Sequence, residues 1–358
     1  MNLEMHIHNI KNITDLDVSF PVTSGVYAIC GENGIGKSTI AACAAMAYKP
    51  MSKYEYLGDT CLDAYIEYRL ADKHFVYRKN SKGQWKLKNE SCTNPIGRIF
   101  NRKDLGLYIF FEGGLYFGSR FKNVNFNKNR CHIGDIEEIK YRELRENFGY
   151  VIHNDKYYYS KLWEKVADGQ NAYYYEHRGI RVDDLHMSTG EVLVLKVLIA
   201  IQKYAKCKPS DKTGLVFIDE AEIGLHPAAV LRFYQVLNSF SANQKYATFL
   251  ITHSVELIHH LPPERILYLH AENDKIEMIN PCFPAYATSF IYEPNAYDHI
   301  MFVEDEYAKM FIQAVMDREN INCRQRLQIL PIAGWSQVIS SAFAWIKDGI
   351  NYKQAYYY

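Results

Sequence analysis

The sequence predicts an α/β protein whose parallel strands bring polar residues together at one edge of a sheet. Three observations predict this fold. A glycine-rich turn at 31–39 lies between an apolar strand and an apolar helix, a second apolar strand ends at Asp219 and Glu220, and a third ends at His253. Because the carboxyl ends of parallel strands share one edge, we expect these residues to surround one ligand.

The glycine-rich turn fits the phosphate-binding pattern G-x-x-x-x-G-K-[ST]. Its strand at 25–30 and its helix at 39–48 point backbone N–H groups and a helix N-terminus at one phosphate. The alternative is a glycine-rich turn that matches the pattern by chance. Such a turn would not be expected to lie between an apolar strand and an apolar helix. We therefore predict that the turn binds a nucleoside triphosphate, with Mg²⁺ held by Ser38 and the β- and γ-phosphates reached by Lys37. The predicted nucleotide contacts here are Asn33, Gly34, Gly36, Lys37, Ser38 and Thr39.

The composition is typical of a soluble globular protein, with 48% hydrophobic and 23% charged residues. Lys and Arg total 41, as do Asp and Glu, so a dominant nonspecific attraction to nucleic acid is not indicated. The eight cysteines are scattered and form no C-x-x-C pair, which predicts reduced thiols in a cytoplasmic protein and no structural zinc. No secretory signal and no apolar run of membrane-spanning length is seen, so no membrane partner is expected.

Strands are predicted at 3–10 and 16–20, before the glycine-rich turn, and an antiparallel meander at 64–88. Between about 98 and 186 we predict a helical insertion, because 135–167 has the Glu, Lys, Leu and Arg content of helices.

Several residues that precede the strand ending at Asp219 and Glu220 allow two interpretations. Lys11 is either a second phosphate contact or a solvated lysine. The stretch 113–134 interleaves basic and aromatic residues, which suits a contact with DNA or RNA, but a solvated loop is favoured in a protein without net charge. The tyrosine clusters at 157–159 and 173–175 are predicted to be packing or interface residues.

The segment Met-Ser-Thr-Gly-Glu at 187–191 opens a strongly apolar helix. Ser188 is a plausible N-cap and Glu191 follows three residues later, which is the pattern of a capping box. A second role is compatible with the first, because Ser188 and Gly190 at a helix N-terminus are able to contact a γ-phosphate.

Two strand ends supply the predicted chemistry. Asp219 is expected to act on Mg²⁺ through water, and Glu220 is expected to polarise the water that attacks the γ-phosphate. His253, at the end of the strand predicted in the apolar stretch 246–254, is expected to hydrogen-bond the γ-phosphate. A purely structural histidine is the alternative at this position.

The order of these motifs resembles the ABC-type ATPases. The narrower resemblance is to the RecF-like ATPases of the OLD (overcoming lysogenization defect) kind, many of which serve in antiphage defence. The segments 31–39 and 187–191 fit many ABC-type ATPases, and the narrower resemblance rests on 219–222 followed by 225–227. The resemblance implies a homodimer in which two ATP molecules lie between the chains, with Ser188 and Gly190 of one chain facing Lys37 of the other. A Q-loop glutamine is not apparent.

The C-terminal stretch looks like the opening of a Toprim domain. A strand at 301–305 contains Glu304, and a helix at 307–316 and a strand at 327–332 follow. In such a domain the first glutamate joins a later Asp-x-Asp to hold divalent metal, but no Asp-x-Asp is present before the last strand at 353–358. We therefore predict an ATPase domain at 1–292 and a partial Toprim-like domain at 298–358, in a chain that represents the first part of a longer one.

Three functional hypotheses follow. The leading one is a dimeric ATPase of OLD-like defence that gates a C-terminal Toprim nuclease. The second is an ATPase scaffold or sensor that holds and releases a separate effector protein. A subunit of a membrane transporter is disfavoured because Leu-His-Pro at 225–227 replaces the usual transporter motif, and an SMC-type role is disfavoured because no long heptad coiled coil interrupts the chain. Oligomers above the dimer are left open.

Overall fold

The computed structural model describes residues 2–48, 57, 60–71, 73–83, 85–88, 108–112, 137–167, 170–205, 213–272, 275–288, 299–319, 327–332, 334, 336–337, 339–340, 343 and 355–357. The strands are β1 (Asn2–Ile10), β2 (Ile13–Pro21), β3 (Gly25–Gly31), β4 (Tyr65–Leu70), β5 (Lys73–Lys79), β6 (Trp85–Lys88), β7 (Tyr108–Glu112), β8 (Glu137–Glu138), β9 (Lys161–Ala167), β10 (Gln170–His177), β11 (Ile180–Asp183), β12 (Gly214–Asp219), β13 (Tyr246–Ile251), β14 (Ile266–Glu272), β15 (Lys275–Ile279), β16 (His299–Val303), β17 (Leu327–Pro331) and β18 (Ala355–Tyr357). The α-helices are α1 (Lys37–Tyr48), α2 (Arg142–His153), α3 (Thr189–Ala205), α4 (Pro227–Gln244), α5 (Val255–His259), α6 (Pro284–Thr288) and α7 (Glu306–Arg318).

A six-stranded sheet in the order β15-β14-β3-β13-β12-β7 forms the centre of the fold. All neighbouring strands in it run parallel except the edge strand β15, which is antiparallel to β14. In this register Asp219 pairs with Ile251 of β13 and with Glu112 of β7, while Ile251 pairs with Ile29 of β3. The predicted strand ends are therefore neighbours at one edge.

Both faces of the central sheet are covered, because its strands bury successive residues in two different cores. Tyr27 of β3, Phe217 of β12 and Phe249 of β13 point to the core shared with the N-terminal strands. There the ring of Phe20 packs edge-on against Phe217 and Phe249, with centroid distances of 5.3 and 5.1 Å. The alternate residues of the same strands join α2, α3 and α4 in the second core. Strands buried on both faces have no polar alternation, which is why these runs are continuously apolar.

Three smaller sheets surround this centre. The antiparallel sheet β2-β1-β4-β5-β6 confirms the predicted N-terminal strands and the predicted meander. A second antiparallel sheet has the order β11-β10-β9-β8. In the third sheet, β16 lies between β17 and β18 and runs parallel to both. The strand–helix–strand order predicted near the C-terminus is thus present, and its assignment to a Toprim domain stays a prediction.

The prediction of helices throughout 135–167 is wrong in its second half. Helix α2 ends at His153, because Asn154 adopts the left-handed conformation (φ +56°) and its backbone N–H bonds back to the carbonyls of Gly149 and Tyr150. The chain then forms β9, which pairs with β10. This pairing with a later segment is a tertiary interaction that helix propensity does not contain. The described part of the predicted insertion is therefore a mixture of helix and sheet.

Within the two tyrosine clusters, Tyr159, Tyr173 and Tyr174 are buried packing residues, as predicted, whereas Tyr157 is exposed. The thiols of Cys30, Cys43, Cys61 and Cys282 are free, as predicted for a chain without disulfides. The basic and aromatic stretch 113–134 lies outside the described residues. Within the described part of the chain, no helix has both the length and the apolar character needed to cross a bilayer.

Candidate nucleotide-binding site

The phosphate-binding turn connects β3 to α1 at the carboxyl edge of the central sheet. Lys37 begins α1, and its ammonium group donates hydrogen bonds to the carbonyls of Gly31 and Glu32 at 3.0 and 2.8 Å. Only 6% of Lys37 is exposed. Burial lowers the pKa of Lys37, and the negative charges of Asp219 and Glu222 act in the opposite direction. The ammonium group is therefore held over the turn by carbonyl oxygens that a phosphate is able to replace.

The turn between β1 and β2 supports the phosphate-binding turn from one side. The side-chain amide of Asn12 donates a hydrogen bond to the carbonyl of Gly34. Gly36 has a φ of +109°, and a Cβ there would lie 3.0 Å from Cδ1 of Ile13. Glycine is thus required at 36 both by backbone conformation and by this close approach. Of the other predicted contacts in this stretch, Asn33 is exposed and Thr39 is buried in the first turn of α1.

Asp219 ends β12 inside the protein, with 5% of the residue exposed. Its carboxylate accepts hydrogen bonds from the Ser38 hydroxyl and from the backbone of Glu220, yet Oδ1 is buried with no hydrogen-bond partner among the described residues. Burial raises the pKa of Asp219. The hydroxyl oxygen of Ser38 and the unbonded Oδ1 of Asp219 are both available as ligands. They suit Mg²⁺, which prefers oxygen ligands. Ser38 and Asp219 therefore fit the predicted metal.

Glu220 follows in a turn and has a φ of +53°, a conformation that few residues other than glycine adopt. Its side chain is exposed at the edge where the phosphate-binding turn lies. Burial of part of the carboxylate and the charges of Asp219 and Glu222 raise the pKa of Glu220. Unusual backbone conformations held by the surrounding structure are frequent at functional sites, and a raised carboxyl pKa suits a group that accepts a proton.

Glu222 is a site residue that the sequence-based reasoning missed. Its Oε1 accepts a hydrogen bond from the backbone N–H of His253 at 2.6 Å, and its Oε2 is buried without a hydrogen-bond partner in the described part of the chain. Glu222 thus ties the turn after β12 to the end of β13. The signal in the sequence was a third acidic residue in Asp-Glu-Ala-Glu.

His253 lies where the sequence predicts it, directly after β13. Burial lowers the pKa of His253, and the positive charge of Lys37 lowers it further. A neutral imidazole is therefore favoured at this position, beside the ammonium group that the phosphates are expected to contact.

The predicted capping box at the start of α3 is confirmed. Ser188 Oγ accepts the backbone N–H of Glu191 at 3.2 Å, and Glu191 Oε2 accepts the backbone N–H of Ser188 at 2.8 Å. Ser188 is exposed, whereas Gly190 is buried against the turn after β12, where a Cβ would lie 2.4 Å from the carbonyl oxygen of Gly224. Within one chain, these residues contact that turn and its residue Leu225.

Glu304, predicted as a metal ligand, follows β16 and is exposed. The next residue, Asp305, has a structural role, because its carboxylate accepts the backbone N–H of Ala308 at 2.7 Å at the start of α7. Among the described residues, Glu304 is not part of a group of three side chains placed to hold one metal ion. Its role as a metal ligand therefore stays a prediction.

Two family models match the sequence. Residues 4–104 match a model described as an AAA domain, and residues 133–259 match one described as an AAA domain, putative AbiEii toxin, Type IV TA system. Together with the motifs at the sheet edge, these matches support an ABC-type P-loop ATPase domain. Neither of the two models is that of the OLD family or of a Toprim domain.

No curated protein matches this ATPase. Among solved structures, an SMC head bound to the C-winged helix domain of ScpA is 14% identical, and the match covers 77% of this chain and 96% of that chain with a TM-score of 0.49. The SMC head domain from Thermotoga maritima is 14% identical over 78% and 99% of the two chains, with a TM-score of 0.42. An Smc head domain with an extended coiled coil, bound to the C-terminal domain of ScpA derived from Pyrococcus furiosus, is 10% identical over 77% and 95%, with a TM-score of 0.48.

Proposed function

We propose that this protein is an ATP-hydrolysing dimeric switch of OLD-like antiphage defence, and that it gates a C-terminal Toprim nuclease that depends on Mg²⁺. One observation carries the ATPase part of the proposal. Lys37, the partly unbonded carboxylate of Asp219 and the left-handed Glu220 are gathered at one sheet edge, next to the linked pair Glu222 and His253.

Each side chain has a role in the hydrolysis of ATP to ADP and phosphate. The phosphate-binding turn and Lys37 bind the phosphates, with the Lys37 ammonium exchanging its carbonyl partners for phosphate oxygens. Mg²⁺, held by Ser38 and Asp219, would neutralise charge on the β- and γ-phosphates. Glu220 accepts the proton of the attacking water, and His253 donates a hydrogen bond to the γ-phosphate.

The dimer in this proposal completes the site. Ser188 is exposed at the N-terminus of α3, so its hydroxyl is open to a phosphate bound to Lys37 of a second chain. The packing of Gly190 on the turn after Glu220 gives a direct mechanical connection between the two halves of that composite site. Closure of the dimer and positioning of Glu220 are therefore coupled.

A scaffold or sensor function is the second candidate, and an exposed apolar side of α7 favours it. Tyr307, Met310 and Phe311 lie at helical spacing and are 81%, 63% and 71% exposed. Apolar residues grouped in this way are frequent at sites of protein–protein contact. In this alternative, the nucleotide state controls the release of a separate effector protein and the chain has no nuclease activity.

The test compares Glu220→Gln and Lys37→Ala with the wild type. We expect Glu220→Gln to bind Mg-ATP but to hydrolyse it about 10²- to 10⁴-fold more slowly, the usual contribution of a general base. This variant should accumulate the ATP-bound dimer, seen as a higher mass in light scattering. Lys37→Ala should lose ATP binding and remain at the nucleotide-free mass.

The matched control is Glu277→Gln, which changes an exposed carboxylate on the edge strand β15 and should behave as the wild type. Normal hydrolysis by Glu220→Gln would reassign the base, and unchanged mass with Mg-ATP would refute the ATP-dependent dimer.

Metal-dependent cleavage of DNA that Glu304→Gln abolishes would support the nuclease function. Its absence, together with ATP-dependent release of a bound protein, would support the scaffold.

A further inference from the structure

The outer face of the N-terminal antiparallel sheet carries a cluster of histidine and aspartate side chains. His6 and His8 are two residues apart on β1, so both point away from the buried residues Met5 and Ile7. The register places Asp17 of β2 opposite His6, and Asp15 opposite His8. The cluster is therefore fixed by the pairing of two strands and does not depend on a flexible loop.

Three atoms of this cluster have the spacing of a metal site. Asp15 Oδ1 lies 3.4 Å from His6 Nε2 and 2.7 Å from His8 Nδ1, and the three ligand atoms are all within 4.8 Å of one another. In a tetrahedral site with metal–ligand bonds of about 2.0–2.1 Å, the ligand atoms are about 3.3 Å apart. The distance from Asp15 to His6 already agrees, the distance from Asp15 to His8 needs a shift of well under 1 Å, and the two histidines offer ligand atoms no more than 4.8 Å apart.

The surroundings of the two imidazoles support the same interpretation. His6 Nδ1 lies 2.8 Å from Asp17 Oδ1, so its N–H is paired with a carboxylate while Nε2 points to Asp15. His8 Nε2 lies 3.1 Å from the side-chain amide nitrogen of Asn9 and 3.8 Å from Asp63 Oδ2, and the ring of Tyr65 stacks on the His8 ring at 4.8 Å. Histidines that bind metals usually donate their second N–H to a carboxylate, and Asp17 holds His6 in this way. At His8, a metal on Nδ1 would replace the hydrogen bond to Asp15, and the ring proton would then lie on Nε2, which faces Asp63.

We propose that His6 Nε2, His8 Nδ1 and Asp15 Oδ1 bind a divalent transition metal of the zinc class. Two imidazole nitrogens and one carboxylate suit such a metal better than Mg²⁺, which prefers oxygen ligands, so this site is distinct from the one at Ser38 and Asp219. Asp15 is 59% exposed, which leaves the fourth coordination position to water or to a small ligand. His6 also lines a cavity of 570 Å³ in this face of the sheet.

The location connects the metal to the phosphate-binding turn. His8 and Asp15 flank the turn from β1 to β2, and this turn contains Asn12, whose amide holds the carbonyl of Gly34 in the phosphate-binding turn. Binding of the metal joins the two strands at the base of that turn. It therefore stabilises the conformation in which Asn12 reaches the phosphate-binding turn.

The test measures metal binding by the full chain, without an affinity tag, after treatment with a chelator. Zn²⁺ is titrated in competition with a chromophoric chelator, and Co²⁺ is used as a spectroscopic probe because its visible absorption reports tetrahedral nitrogen and oxygen coordination. We expect one ion per chain. Loss of any one ligand in His6→Ala, His8→Ala or Asp15→Ala should abolish the Co²⁺ spectrum, and Asp17→Asn should weaken binding about 10- to 100-fold.

The matched control is His186→Ala, because His186 forms an exposed pair with Asp183 at 2.6 Å but has no second histidine nearby in the described structure. It should bind Zn²⁺ as the wild type does. Circular dichroism establishes that each variant is folded. The proposal is overturned if the wild type binds no Zn²⁺ or Co²⁺, or if His186→Ala loses as much binding as His8→Ala, and the cluster is then a set of His–Asp hydrogen bonds only.

Discussion

At the scale of single residues, Asp219 is held in the protein at a cost to the folded state. It is 5% exposed, and one of its carboxylate oxygens has no hydrogen-bond partner in the described part of the chain. Burial raises the pKa of Asp219 although Ser38 and Lys37 favour its charged form. Ionisation of this carboxyl group is therefore less favourable in the folded chain than in the unfolded chain. The resulting loss of unfolding free energy is absent at pH values below the pKa of Asp219 in the unfolded chain. It is complete at pH values above the raised pKa of Asp219 in the folded chain.

We expect Asp219→Asn to remove that penalty. In the absence of nucleotide and Mg²⁺, the variant should unfold at a higher urea concentration than the wild type at pH 7, and the difference should become smaller as the pH falls and the wild-type carboxyl group binds a proton. Hydrolysis of ATP should fall by about a hundredfold or more, because a bound metal supplies several kcal/mol of charge stabilisation. Urea midpoints and ATPase rates check both parts. Lower stability of the variant at pH 7 would contradict the argument.

At the scale of elements, the turn after β12 and the start of α3 touch through their backbones. Gly224 has a φ of +71°, and a Cβ there would lie 2.7 Å from the backbone N of Gly190 and 3.0 Å from Cβ of Thr189. No side chain fits between them. Movement of the turn that carries Glu220 therefore displaces the start of α3, which presents Ser188.

We expect Gly224→Ala to separate these two elements. Gly179→Ala is the matched control, since Gly179 has a similar φ of +77° but nothing within 4 Å of its Cβ position. Both variants lose about 1–2 kcal/mol from the left-handed backbone, and Gly224→Ala should lose about 1–3 kcal/mol more from crowding. Only Gly224→Ala should reduce ATP hydrolysis. Equal urea midpoints for the two variants would show that the close approach has no energetic effect.

The elements differ in how far their sequence determines them. The phosphate-binding turn, β12 and β13 were predictable because each combines a continuous apolar run with a polar residue at its end, and both signals are local. Strand β9 was not predictable, since it depends on pairing with β10. The role of Glu222 was missed for a similar reason, because its partner is the backbone of a residue on a neighbouring strand. An interaction between segments that are distant in sequence produces no recognisable pattern in the sequence of either segment.

At the scale of the whole molecule, the central sheet joins two sides of the protein at the nucleotide-binding edge. The N-terminal sheet covers one face and reaches the phosphate-binding turn through Asn12. Helices α2, α3 and α4 cover the other face. On this second side, the hydroxyl of Tyr159 donates to Glu191 Oε1 at 2.8 Å, and His153 Nε2 lies 3.0 Å from the same hydroxyl. Because Glu191 accepts but cannot donate, the direction of these bonds runs from His153 through Tyr159 to Glu191.

This series of hydrogen bonds connects the end of α2 to the capping box of Ser188, and we expect Tyr159→Phe to break it. Glu191 is 8% exposed, so the loss removes one of the hydrogen bonds to a buried carboxylate and should lower the free energy of unfolding by about 1–3 kcal/mol. Tyr157→Phe, at a site that is 74% exposed, is the control and should change stability little. Because Glu191 Oε2 holds the backbone of Ser188, Tyr159→Phe should also weaken ATP-dependent dimerisation measured by light scattering in the Glu220→Gln background. If stability falls and dimerisation is unchanged, these hydrogen bonds contribute to folding only. The contact at Gly224 is then the remaining connection between the turn that carries Glu220 and the start of α3 that carries Ser188.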